Sequence, residues 1–132
     1  VRSREERDPR FAEQMAECPN ASRASRGSVG EDDVELVERE CAGHGFELAS
    51  PREAARRGSQ VALRHPEGYA IVQALIAAGV IGDFRAPDLL RFGFAPAYLR
   101  FVDVWDAVAA LKGIMEAGSW DRPEHRRRAK VT

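Results

Sequence analysis

Cysteine, histidine and lysine are all scarce in this 132-residue chain, and each shortage removes a class of function. Cys18 and Cys41 stand far apart with no CxxC pair and no secretory apolar core ahead of them, so a disulfide scaffold is not expected. Free thiols in a cytoplasmic protein are the expectation. His44, His65 and His125 are scattered, without the spacing that lets side chains close on a metal ion. Each reads as a surface, capping or tail residue, and no metal is expected. A Walker loop, a GxGxxG turn after a strand, a GxSxG elbow and an HExxH helix are missing too. So is net charge: the formal sum of -1 leaves no whole-molecule field to draw in nucleic acid or an anionic membrane. The longest apolar stretch, Tyr69 to Ile81, falls short of the roughly 20 apolar residues that span a bilayer.

What is present is a globular composition, 44% apolar and 31% charged, at a length that lets one domain hide most of its apolar surface. Residues 1–30 are the exception. Arg, Ser and Glu crowd them, Phe11 and Met15 are their only large apolar side chains, and such a segment buries too little to offset its ordering entropy. A disordered leader is expected. The run Ser22 to Arg26 has the composition of an RNA-contacting arm, but the leader sets six arginines against five acids, and electrostatic binding needs an excess of positive charge.

From Glu31 onward the apolar periodicity is regular. Asp32 or Asp33 caps a helix carrying Val34, Val37 and Cys41, which Gly43 and Gly45 end. Phe46 to Ala49 reads as a short strand, Arg52 to Arg57 as a loop, and Gln60 to Arg64 as a half-buried strand with Val61 and Leu63 on one face. His65-Pro66-Glu67 opens a second helix with the proline at its first position. Its stripe pairs Tyr69, Val72 and Ile76 with Ile71, Leu75 and Ala78, and Gly79 stops it. Val80 to Phe84 and Leu89 to Phe94 form a hairpin about the turn Arg85 to Asp88. The clearest helix runs from Phe101 to Ala117, with Val104, Val108, Leu111 and Met115 on one face and Trp105 beside them. A basic solvated tail, 121–132, closes the chain. The order predicts an α+β domain over 31–120, a small mainly antiparallel sheet with its helices on one face.

Few residues invite chemistry. Asp103 and Asp106 share a helix face away from the apolar stripe, where nothing raises a carboxyl pKa for acid catalysis. Arg91 is different. It sits inside Leu89-Leu90-Arg91-Phe92-Gly93-Phe94, a strand otherwise apolar, where an unpaired guanidinium is costly to bury. An anion should meet it: Asp83 or Asp88 from the same chain, or the carboxylate of a ligand, since the planar guanidinium fork grips either. Gly93 marks a close backbone approach or a bulge.

Several stretches together carry a resemblance. Gly58-Ser59-Gln60-Val61, Arg64-His65-Pro66-Glu67-Gly68-Tyr69, Gly79-Val80-Ile81-Gly82-Asp83-Phe84-Arg85-Ala86-Pro87 and Leu90-Arg91-Phe92-Gly93-Phe94 look like the end of bacterial kynureninases. Cys41 to Gly45, Leu48 to Pro51 and Phe101 to Asp106 extend the likeness, which covers about Asp33 to Thr132. The leader does not share it. The resemblance implies the C-terminal small domain of a homodimeric fold-type I pyridoxal phosphate enzyme of tryptophan catabolism, which hydrolyses kynurenine to anthranilate and alanine. It implies that Arg91 holds the substrate's α-carboxylate. The Schiff-base lysine and the remaining cofactor-binding residues of such enzymes belong to a large domain with no counterpart here, and neither Lys112 nor Lys130 lies in a matching motif.

The chain is therefore expected to be a kynureninase fragment that binds no pyridoxal phosphate and catalyses nothing alone. Its partners are the missing large domain or a second subunit, not nucleic acid or membrane. Two other readings stay open: half of a split enzyme, and a non-catalytic module that binds an amino acid through Arg91. An Arg91 that stands free in water, or is already locked onto a carboxylate of its own chain, sinks the clamp.

Overall fold

The computed structural model describes residues 31–94 and 99–128; the leader, Pro96, Tyr98 and Lys130 lie outside them, as do the side chains of Asp32 and Asp33. In chain order the elements are α1 (Glu31–Glu40), β1 (Glu47–Leu48), β2 (Gln60–Arg64), α2 (Gly68–Ala77), β3 (Asp83–Arg85), β4 (Leu89–Gly93), α3 (Phe101–Ala117) and α4 (Pro123–Arg126). Single 3-10 turns occur at Ala54–Arg56 and Ser119–Asp121. The strands form one antiparallel sheet in the order β1-β2-β4-β3, and the fold is the expected α+β small domain.

Alternation along the strands separates the two faces of the sheet. Val61, Leu63 and Leu90 are buried, and the ladder sets Val61 opposite Phe92 and Leu63 opposite Leu90, so these side chains leave the sheet together. They meet Leu36 of α1, Ile71 and Leu75 of α2 and Trp105 of α3 in a single core. The other register positions, Glu47, Gln60, Ala62, Arg64, Asp83, Arg85, Leu89, Arg91 and Gly93, therefore share the face away from the described helices. One layer boundary is apolar and the other is charged.

Local chemistry explains where the elements depart from expectation. β1 is only two residues long because the Ser50 hydroxyl accepts the Ala62 N–H at 2.8 Å, ending the ladder that a longer strand would have continued. Pro66 precedes α2 instead of opening it. His65, buried and ringed by Phe46 and Trp120, accepts the Glu67 N–H at Nδ1, 3.0 Å away, while Nε2 lies 3.0 Å from the His44 carbonyl. It fixes the chain at the entry to α2 and ties the turn after α1 to the same point. Within α2 the buried stripe is Gly68, Ala70, Ile71, Val72, Ala74 and Leu75, and the expected Ile76 is 43% exposed. Small residues let this helix lie close on the sheet, which turns Ile76 outward. Val80 to Gly82 are not strand: the Val80 N–H closes the end of α2 on the Leu75 carbonyl at 2.9 Å, past Gly79 at φ 88°.

The described part of the tail from Asp121 is mostly exposed, as expected, but it is not without structure: Asp121 ends a 3-10 turn and Pro123–Arg126 form a short helix. Trp120 packs against the core, the Arg126 guanidinium lies 5.4 Å from its ring centroid, and Arg126 Nη1 is 3.1 Å from Glu67 Oε2. An aromatic anchor and the start of α2 thus hold Arg126 in place within an otherwise solvated segment.

Cys41 is buried between α1 and α3, with Glu40 beside it bridged to Lys112 at 3.1 Å. Burial, then the neighbouring Glu40 charge, pushes the thiol from its ordinary 9.0 up to about 11. An unfolded thiol ionises near the ordinary value, so this group's contribution to stability is complete below pH 9 and is lost as pH rises toward 11. Iodoacetamide at pH 8 is expected to leave Cys41 unmodified in the folded chain and to alkylate it in denaturant, as read by peptide mass mapping; equal labelling in both would show the thiol to be accessible.

Candidate functional site

The β3–β4 hairpin builds the site. Its turn, Arg85 to Asp88 as expected, contains a cis Ala86–Pro87 bond, and its register sets Asp83 directly opposite Arg91. Both side chains leave from the helix-free face. Nε of Arg91 donates to Asp83 Oδ2 at 3.0 Å, and Nη2 donates to the same oxygen. Arg85 Nε lies 3.4 Å from that oxygen as well, so one carboxylate serves two guanidinia. The hydrogen bonds from Arg91 hold the Asp83 carboxyl below the usual carboxylate range against the opposing effect of burial, and the charges of Arg91 and Arg85 add to the lowering.

Of the two acids expected as internal partners, Asp83 is therefore the one engaged; Asp88 faces Arg64 at 3.8 Å. Arg91 is not buried in the apolar core, since the alternation that sends Leu90 inward sends its neighbour outward. Its side chain keeps 30% of its exposure. Gly93 pairs regularly with Gln60, and a Cβ there would meet nothing, so neither a bulge nor a close approach marks it. The close approach is at Gly82, where a Cβ would stand 2.8 Å from the Phe92 ring. Sequence reading missed this glycine, which seats β3 against β4 one residue before Asp83.

The remaining candidates are not brought together. Asp103 caps α3: its carboxylate accepts the Arg100 N–H at 2.8 Å and two bonds from the Arg100 guanidinium, while Asp106 is exposed one turn on. No group of His, Cys, Asp or Glu among the described residues is placed to hold a metal ion, and no described helix is long and apolar enough to cross a membrane. Lys112 donates to Glu40 Oε2 at 3.1 Å, and that bond raises its pKa. A lysine poised for imine chemistry needs the opposite shift. The described residues therefore do not fit a pyridoxal phosphate anchor. Between the sheet and α3 lies a cavity of about 640 Å³, lined by Val37, Leu63, Phe92, Phe94, Leu99 and Val104 and bordered by Asp83 and Arg91.

Residues 23–111 match the sequence family described as the kynureninase C-terminal domain, more than half of the chain. This chain belongs to that family. It is 56% identical over 99 residues to the kynureninases of Burkholderia mallei (strain SAVP1) and Burkholderia pseudomallei (strain K96243), and 52% identical over 99 residues to that of Pseudomonas fluorescens. Each alignment covers 75% of this chain and 24% of the relative, so the chain spans about a quarter of the length of the curated kynureninases it matches. The four strands and the helices α2 and α3 described above are the structure of this kynureninase domain.

Proposed function

We propose that this kynureninase domain contributes the substrate grip of a pyridoxal phosphate-dependent hydrolase, with Arg91 holding the α-carboxylate of kynurenine. The observation that carries the reading is the place of Arg91 in its strand. Within Leu89-Leu90-Arg91-Phe92-Gly93, alternation puts the one cation on the face opposite the core, away from the described helices, while Leu90 anchors the strand in the core. A guanidinium supported in this way grips a carboxylate with two parallel hydrogen bonds and fixes the ligand's orientation. Arg91 is locked onto Asp83, the outcome that sinks the clamp as first expected, so the reading proposed here rests on the Nη1 side of the guanidinium, which Asp83, taking only the Nε and Nη2 donors, does not use.

Pyridoxal phosphate, in the enzymes of this family, supplies the electron sink for breaking the side-chain bond. Lys112 is committed to Glu40, so the cofactor anchor of this reading belongs to the large domain, and the domain by itself positions a ligand without reacting with it. Large domain and kynureninase substrate are then the partners of the helix-free face.

Two measurements test this. Incubated with pyridoxal phosphate and dialysed, the chain is expected to show no visible imine band. A band that borohydride bleaches, leaving a labelled lysine, would overturn the assignment. Titrated with L-kynurenine and followed by NMR, the chain is expected to bind weakly, and Arg91→Ala to weaken that binding about tenfold or more. Arg91→Lys should fall nearly as far, because an ammonium is a point charge without the fork. Equal affinity in all three would remove Arg91 from the site.

A further inference from the structure

The function proposed above needs an arginine that is held still and still has donors to give. Resting on that reading, we infer that Asp83 is a positioning residue: it grips Arg91 side-on, through Nε and Nη2, and so presents the Nη1 and Nη2 end of the guanidinium to a ligand carboxylate on the helix-free face. A planar guanidinium has two edges at which a carboxylate can bind, one formed by Nε and Nη2 and one by Nη1 and Nη2. Asp83 occupies the first with a single oxygen. Two carboxylates on two edges of one fork do not exclude each other.

The supports of Asp83 are themselves fixed. Its register partner is Arg91, so the shortest cross-strand path joins the two side chains. Gly82, immediately before it, lies under the Phe92 ring too closely for any larger residue, which locks the backbone from which the carboxylate projects. Arg85, 3.4 Å from the same oxygen, adds a second cation. Asp83 thus neutralises one of two adjacent guanidinia and leaves the cluster with one unit of positive charge, the sign a carboxylate ligand needs. Arg64 stands on the same face, across Leu89 in the ladder from Arg85, with Asp88 at 3.8 Å.

An unsupported arginine on an exposed strand face samples many rotamers, and ordering one such side chain on binding costs roughly two- to tenfold in affinity. That range sets the expected effect. In the 132-residue chain with labelled arginine side chains, the Arg91 Nε–H resonance should be shifted and slow to exchange, and should collapse toward free arginine in Asp83→Ala. L-kynurenine should then bind Asp83→Ala roughly two- to tenfold more weakly than wild type. Asp83→Asn, which keeps an acceptor oxygen, should recover part of the loss, an outcome that a purely structural role for Asp83 does not produce.

The alternative outcomes separate cleanly. If wild type binds and Asp83→Ala binds as well or better, Asp83 is a competitor for the fork and the positioning role is overturned while the clamp stands. If wild type and Arg91→Ala are alike in failing to bind kynurenine, the clamp fails and takes the positioning role with it. If the Arg91 Nε–H resonance is the same in wild type and Asp83→Ala, the side-on grip is absent in solution and the inference is wrong whatever the affinities.

Discussion

Leu90→Ala is expected to destabilise the domain by about 2–5 kcal/mol, the range for removing a buried leucine side chain when the surroundings only partly collapse. Leu90 is fully buried on β4, an inner strand, flanked in the ladder by Leu63 on β2 and Phe84 on β3. Its neighbours are held by the strands themselves and by α2, so the space left by three carbons has little to fill it. At about 4–8 °C per kcal/mol for a domain near this size, the midpoint of thermal unfolding should fall by on the order of 10 °C or more. A change within a degree or two would mean that the packing around β4 is loose. Arg91 follows Leu90, so the variant should also blunt the Arg91 resonance, by freeing the strand from which the guanidinium projects.

The second large effect comes from adding atoms. Gly68→Val is expected to cost about 1–3 kcal/mol or more, because a Cβ at Gly68 would stand 2.9 Å from Leu90 Cδ1 and 3.2 Å from both the Asp88 carbonyl oxygen and Phe84 Cε2. The leucine methyl can move. The carbonyl cannot move freely, since it accepts the His65 N–H at 3.0 Å, the bond that fixes the end of β2 to the hairpin turn. Helix propensity favours valine over glycine by only a few tenths of a kcal/mol, too little to offset the clash. Chemical denaturation of the two single variants and the double variant checks the mechanism. Leu90→Ala removes one of the three clashes, so the double variant should be less destabilised than the two losses added, by roughly 0.5 kcal/mol or more. Strict additivity would show that the two residues do not meet.

Both effects converge on the hairpin that carries Asp83 and Arg91. Below it, Leu90, Gly68 and Gly82 set how closely α2 and β3 approach β4; above it, the charged pair faces outward. Core packing on one side of the strand is what holds this charged pair steady on the other.

Much of this was legible in the residues. Gln60 to Arg64 alternates through a half-buried strand, and the structure has that strand with Val61 and Leu63 inward. Phe101 to Ala117 repeats apolar residues at helical spacing, and α3 has those ends. The places where reading failed are those where a distant residue intervenes. His65 replaced Pro66 as the device that starts α2, because the imidazole is held by the His44 carbonyl twenty-one positions earlier. Trp120 and Glu67 hold Arg126 at the end of a short helix that composition gave no reason to expect. Leu36 and Ile114 joined the core from outside the expected stripes, since helices covered by one another as well as by the sheet bury more than one line of residues.

By itself the sequence determined the class of fold, the hairpin and the longest helix, because periods of two and of 3.6 are local properties. Tertiary structure alone decided that Arg91 leaves by the helix-free face, that Asp83 and not Asp88 meets it, and which edge of the guanidinium is taken. Those outcomes depend on the register between two strands and on the packing beneath them, and no single stretch of chain contains that information.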